Sequence, residues 1–176
     1  MNKDTIKNFI VILSIVVVLI LLTYYNQFYI KNTDVTYSEL YKNELATKIL
    51  NNDIDDVDYE YLNKDLTNID DILKEQISLD IDMVKKTEYY NIAQNIYSKK
   101  INELVRILND KLDDEDFNRL QLDIEDFQKN IDFAITDIKN TLDSTVDIKY
   151  YTNKYLYEEK RKKSREILET YKGFLQ

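Results

Sequence analysis

The chain contains no cysteine, histidine, proline or tryptophan, and a single glycine, Gly173, among 176 residues. Without cysteine there are no disulfides, thiolate zinc sites or cysteine nucleophiles. Without histidine there is no Ser-His-Asp triad, no Glu-x-x-His di-iron set and not the commonest general base. Turns and hairpins lean on glycine and proline, so the composition points away from a β-rich fold. The missing cysteine does not fix the redox compartment, since a reducing cytosol and an extracytoplasmic space both fit. Only carboxylate chemistry remains for an enzyme, and no pair of acids stands out for it. No catalytic residue, cofactor or metal site is therefore expected. The acidic stretch "DIDDVDYE", Asp53–Glu60, fails as a calcium loop. Val57 falls on a ligand position and the required glycine is missing.

What the chain has is charge and tyrosine: 24 basic and 33 acidic residues, a net of −9, and 15 tyrosines. The heavy use of Asn, Asp, Lys, Ile and Tyr suits an AT-rich bacterial genome. Apolar residues are concentrated at the start. No charge occurs from Asn8 to Ile30, and the centre reads "FIVILSIVVVLILL". About 20 such residues cross a hydrocarbon core of roughly 30 Å. Tyr24, Tyr25, Phe28 and Tyr29 follow as an interfacial aromatic belt. A cleaved signal peptide is the alternative. The apolar run exceeds a usual signal core, and no small-x-small site follows it.

Lys3 and Lys7 precede the run against one Asp4, which leaves 22 basic and 32 acidic residues after it and a net of −10. The positive-inside rule keeps such a tail in the cytoplasm and exports the remainder. The expected organisation is a tail over 1–8, a transmembrane anchor over 9–30 and an extracytoplasmic helical domain over 31–176 in the cell membrane.

The exported part reads as helices. Thr36 and Glu39 stand at capping-box spacing before a short helix carrying Tyr37, Leu40, Tyr41, Leu45 and Ile49. "NNDIDDVDYEYLNKD" reads as a loop, and a second helix is predicted from near Thr67 through Ile69, Ile72, Leu73 and Ile77 to Val84. Within it "ISLDIDM" alternates with period two, a strand signal, but no partner strand or turn chemistry accompanies it. From Thr87 an apolar stripe runs through Ile92, Ile96, Ile101, Leu104, Val105, Leu108 and Leu112. "DDED", Asp113–Asp116, interrupts it. Asp113 or Asp114 suits an N-cap, and the following acids favour the helix dipole. A seam of nearly heptad period follows: Phe117, Leu120, Ile124, Phe127, Ile131, Ala134 and Ile138. "TLDSTVD" reads as a loop and a last helix as Lys149–Phe174, its apolar face including Tyr150, Tyr157, Leu168, Tyr171 and Leu175. The fold class expected is all-α: a single transmembrane helix, then an antiparallel bundle of about four or five helices. In it the helices flanking the acidic run form a hairpin, with the last helix beside them.

Two surface features are candidates for binding. Lys160, Arg161, Lys162, Lys163 and Arg165 crowd into one stretch of an acidic protein. They read as a solvated face with i,i+4 partners (Glu158–Lys162, Glu159–Lys163, Lys162–Glu166) or as a patch for an anionic polymer or lipid headgroup. The net charge and outside location argue against nucleic acid. The tyrosines mostly fall on apolar faces, and of each adjacent pair, Tyr89–Tyr90 and Tyr150–Tyr151, one should face outward.

The segments "EYYNIAQNIYSKKINELVRIL", "DFNRLQLDIEDFQKNID" and "YLYEEKRKKSREILETY", over about 85–175, together resemble the LprI-like family, whose founding members are lysozyme inhibitors. Asn102 and Leu104 fall in its first element, Phe127 stands where the family has Trp, Asp132 matches its Asp, and Arg165 with Leu168 matches its end. Ile124 and Ile131 stand where the family has Gln and Arg, and the family cysteines are absent. The resemblance implies a helical domain and makes lysozyme the first ligand to test. The function expected is a membrane-anchored envelope binding module for a protein or anionic polymer. The alternative is an envelope or division scaffold that self-associates through the Phe117–Ile138 seam.

Overall fold

The computed structural model describes residues 44–79 and 81–176. The expected anchor, its aromatic belt (Tyr24, Tyr25, Phe28, Tyr29) and the Thr36–Glu39 capping box lie outside these residues. Among the described residues there are five α-helices and no strand: α1 Glu44–Leu50, α2 Tyr59–Ser78, α3 Met83–Lys111, α4 Asp114–Thr141 and α5 Thr145–Thr170. Short 3-10 turns cover Ile54–Asp56 and Lys172–Phe174. None of the described helices is long and apolar enough to cross a membrane.

Local chemistry accounts for the boundaries. Helix α1 ends in a Schellman motif. Asn52 is left-handed at φ 61°, Asp53 N–H donates to Lys48 O and Asn52 N–H to Ile49 O. Asp58, Asp82, Asp113 and Ser144 cap the next four helices, each side chain accepting from the backbone N–H three residues on. The Asp113 cap confirms the predicted role of the acidic run. Asp114, Glu115 and Asp116 then occupy the first turn of α4, at the positive end of its dipole.

Three sequence expectations are corrected. Helix α2 starts at Tyr59, not Thr67. Asp58 caps it, and Leu62, Leu66, Ile69 and Leu73 already form its buried stripe. The predicted continuation to Val84 breaks after Ser78: Leu79 is extended at ψ 139° and Asp82 caps a new helix. Helix α5 begins at Thr145 rather than Lys149, because Ser144 caps it, and ends at Thr170 rather than Phe174.

Packing also differs from a hairpin with a third helix beside it. The closest partners are α3 and α5, which run parallel, their rings meeting in register: Tyr90 with Tyr150 at 5.7 Å and Tyr97 with Tyr157 at 5.9 Å. Such pairs contribute about 0.5–1.5 kcal/mol beyond burial. Helix α4 is the return stroke between them, antiparallel to α5, with Asp123 opposite Lys163 and the cleft residues Ile138 and Thr141 opposite Lys154 and Tyr155. Helix α2 lies antiparallel to both α3 and α5, with Asp65 beside Lys100, Asp70 beside Arg161, and Tyr59 beside Glu169. The core is centred on α3, where Ala93, Tyr97, Ile107 and Leu108 are fully buried. The chain's end joins it: Leu175 is buried, and its carbonyl accepts from Tyr59 N–H at the start of α2, at 2.8 Å.

Candidate functional site

Charge is the feature most in need of a partner in this core, and the basic run of α5 supplies it. Asp70 on α2 is the meeting point. Its Oδ1 accepts from Arg161 Nε at 2.7 Å and from the Tyr97 hydroxyl, and its Oδ2 accepts from Arg161 Nη2 at 2.9 Å and Arg165 Nη2 at 2.8 Å. Arg165 also donates to Asn63 Oδ1 and Thr67 Oγ1. Burial raises the Asp70 pKa, but the hydrogen bonds from Arg161, Tyr97 and Arg165 outweigh it and hold the carboxyl below its ordinary value. Burial, reinforced by the bond to Asp70, drives the Tyr97 phenol far above its usual pKa, so it remains a neutral donor.

Lys163 is buried on the other side of α5. It pairs with Asp123 at 2.6 Å and Glu166 at 3.3 Å, and lies 5.6 Å from the Phe127 ring centroid. Lys160 donates to Gln94 Oε1 at 2.6 Å, and burial lowers its pKa. Of the predicted basic patch only Lys162 is exposed with no hydrogen-bond or ion-pair partner among the described residues. Lys160, Arg161, Lys163 and Arg165 face α2, α3 and α4. None of the expected i,i+4 pairs forms among the described residues: Lys163 turns to Asp123 and Lys162 to solvent, with Lys163–Glu166 and Lys154–Glu158 the local pairs of this stretch.

The seam of α4 is less covered than its period predicts. Leu120 and Ile131 are buried, while Phe117, Ile124, Phe127, Ala134 and Ile138 are half-buried. Leu122 and Phe133, eleven residues apart and so on one face of the helix, are 61% and 77% exposed. Of the residues carrying the family resemblance, Leu104 and Leu168 are in the core and Asn102 is exposed. Asp132 is also exposed, accepting from Gln128 of its own helix. The tyrosine pairs divide: Tyr90 is buried and Tyr89 half-buried, Tyr150 half-buried and Tyr151 exposed.

An open cleft of about 390 Å³ lies between the end of α4 and the middle of α5. Asp137, Ile138, Thr141 and Leu142 line one wall, and Tyr151, Lys154, Tyr155 and Glu158 the other. Sequence reasoning missed it. The signal was present in the shared face of Tyr151, Tyr155 and Glu158, but the opposing wall depends on how α4 packs. Among the described residues no group of three or more Asp or Glu is arranged to hold a metal ion. No family model matches the chain, and neither a curated protein nor a solved structure matches it.

Proposed function

We propose that the protein is a membrane-tethered binding module of a bacterial envelope, exposing its helical unit outside the cell. The observation that carries this reading is the uncharged apolar run from Asn8 to Ile30, with Lys3 and Lys7 before it and a net of −10 after it. The helical unit supports the binding role. Its buried charges are engaged with one another around Asp70, Lys100 and Lys163, which marks them as structural groups. Its remaining surface is rich in acid. A basic protein is the natural partner, through electrostatic complementarity that speeds encounter and falls with salt.

Lysozymes are often basic, and the LprI-like resemblance makes lysozyme the first to try. A fragment from Asn32 to Gln176 is expected to slow lysozyme at micromolar concentration and low salt. Undiminished lysis under those conditions removes lysozyme as the ligand. Capture of a basic envelope protein by the same fragment, lost at high salt, supports the broader reading.

A second reading, self-association along the α4 seam, is favoured by the half-exposed Phe117, Ile124, Phe127, Ala134 and Ile138. It requires a concentration-dependent dimer or larger species in analytical ultracentrifugation. A monomer across the concentration range rejects it.

A further inference from the structure

We infer that the α4–α5 cleft receives a cationic side chain, the ammonium or guanidinium of a lysine or arginine on a partner polypeptide. The inference deepens the binding-module reading and rests on it. Three features of the cleft favour a cation, set against the one cation in its own lining, Lys154.

Asp137 is exposed on one wall, and among the described residues its carboxylate has no hydrogen-bond or ion-pair partner. Glu158, on the other wall, is paired at 3.9 Å with Lys154 of the same wall, so Asp137 is the acid of the cleft left open to a ligand. The wall at Ile138, Thr141 and Leu142 is the C-terminal end of α4, the negative pole of the helix dipole, with Lys139 in the same last turn. The opposing positive pole at the start of α5 is already answered by the Ser144 cap and Asp147 in its first turn. Finally, the rings of Tyr151 and Tyr155 line the cleft, and aromatic faces attract cations. Burial raises the Tyr155 pKa, which keeps that ring a neutral phenol.

The size fits as well. A volume of about 390 Å³ lies at the small end of the roughly 300–1,000 Å³ typical of ligand sites, room for one extended side chain. The stem would lie along Ile138 and Leu142 with its charge toward Asp137, as long basic side chains place their stems on apolar surface. Exposed Phe133, one turn before Asp137 on α4, extends the same face for the rest of a partner segment.

The test is a titration of the isotope-labelled full chain with an acetylated, amidated oligolysine peptide. A maltoside detergent is used because it brings no ammonium group of its own. Saturable amide shifts confined to 137–142 and 151–158 are expected. Asp137→Asn is expected to weaken binding about three- to tenfold, while Asp110→Asn, an exposed acid outside the cleft, leaves it unchanged. Shifts spread over the acidic surface without saturation overturn the inference, and so does an Asp137→Asn variant that binds like the wild type. Failure here leaves the tether and the lysozyme assay untouched. A chain found wholly in the cytoplasm sinks the broader reading whatever the titration shows.

Discussion

At the scale of single residues, Asp70 explains most about why this acidic chain retains a dense basic run. Its carboxylate accepts from Tyr97, Arg161 and Arg165, so three helices meet at one side chain. Asp70→Asn keeps the shape but loses the charge, and a cost of roughly 1–3 kcal/mol is expected in urea unfolding at neutral pH. The pH dependence has a definite sign. The folded pKa of Asp70 lies below the ordinary 3.8, so its contribution is present above that value and is lost as pH falls through the folded pKa. The stability gap between wild type and Asp70→Asn should therefore be constant near neutrality and close in acid. A gap that persists unchanged in strong acid contradicts the assignment.

The tyrosines set the opposite limit. Burial raises the phenol of Tyr90 to about 12 and pushes those of Tyr97 and Tyr157 up as well, against an ordinary 10.0. The unfolded chain thus releases these protons first. Stability is expected to fall as pH rises above 10.0, with phenolate absorbance appearing together with loss of helical circular dichroism. Phenolate formation that fully precedes unfolding contradicts burial of these rings.

At the scale of elements, α4 is the weakest-held of the four long helices. Only Leu120 and Ile131 are buried along its length, against ten residues of α3. Its amides should exchange with solvent well before those of α3 and α5 in native-state hydrogen exchange. Asp113→Ala, which removes its cap, should cost about 0.5–2 kcal/mol. Gly173 offers the reverse test. A Cβ there meets nothing within 4 Å, and the backbone φ is not positive. Gly173→Ala is accordingly expected to stabilise by about 0.4–1 kcal/mol through the unfolded state, read from the denaturation midpoint.

The elements also show what the sequence made legible. The acidic run announced its own role, because an N-cap and a charged first turn are local chemistry. The start of α2 was equally local, in Asp58 followed by Leu62, Leu66, Ile69 and Leu73, but the acid-rich stretch around it obscured the pattern. The parallel pairing of α3 with α5 had no local signal. Periodicity identifies the face a helix buries, not the neighbour that covers it. Asp70 meets Arg161 across 91 residues and Arg165 across 95, distances no spacing rule reaches. The cleft was hidden for the same reason, since its walls come from two helices.

At the scale of the whole molecule, an apolar run that suits a membrane precedes in sequence a helical unit with its own core, Glu44–Gln176. The absence of cysteine makes the proposed topology directly measurable, because any introduced thiol is the only one in the chain. Single variants Asn2→Cys and Asn140→Cys place a thiol before the run and on the exposed end of α4. In intact cells, a membrane-impermeant maleimide should label Asn140→Cys and leave Asn2→Cys unlabelled until the cells are opened. Protection of both until lysis, or labelling of Asn2→Cys alone, would contradict an exported binding module.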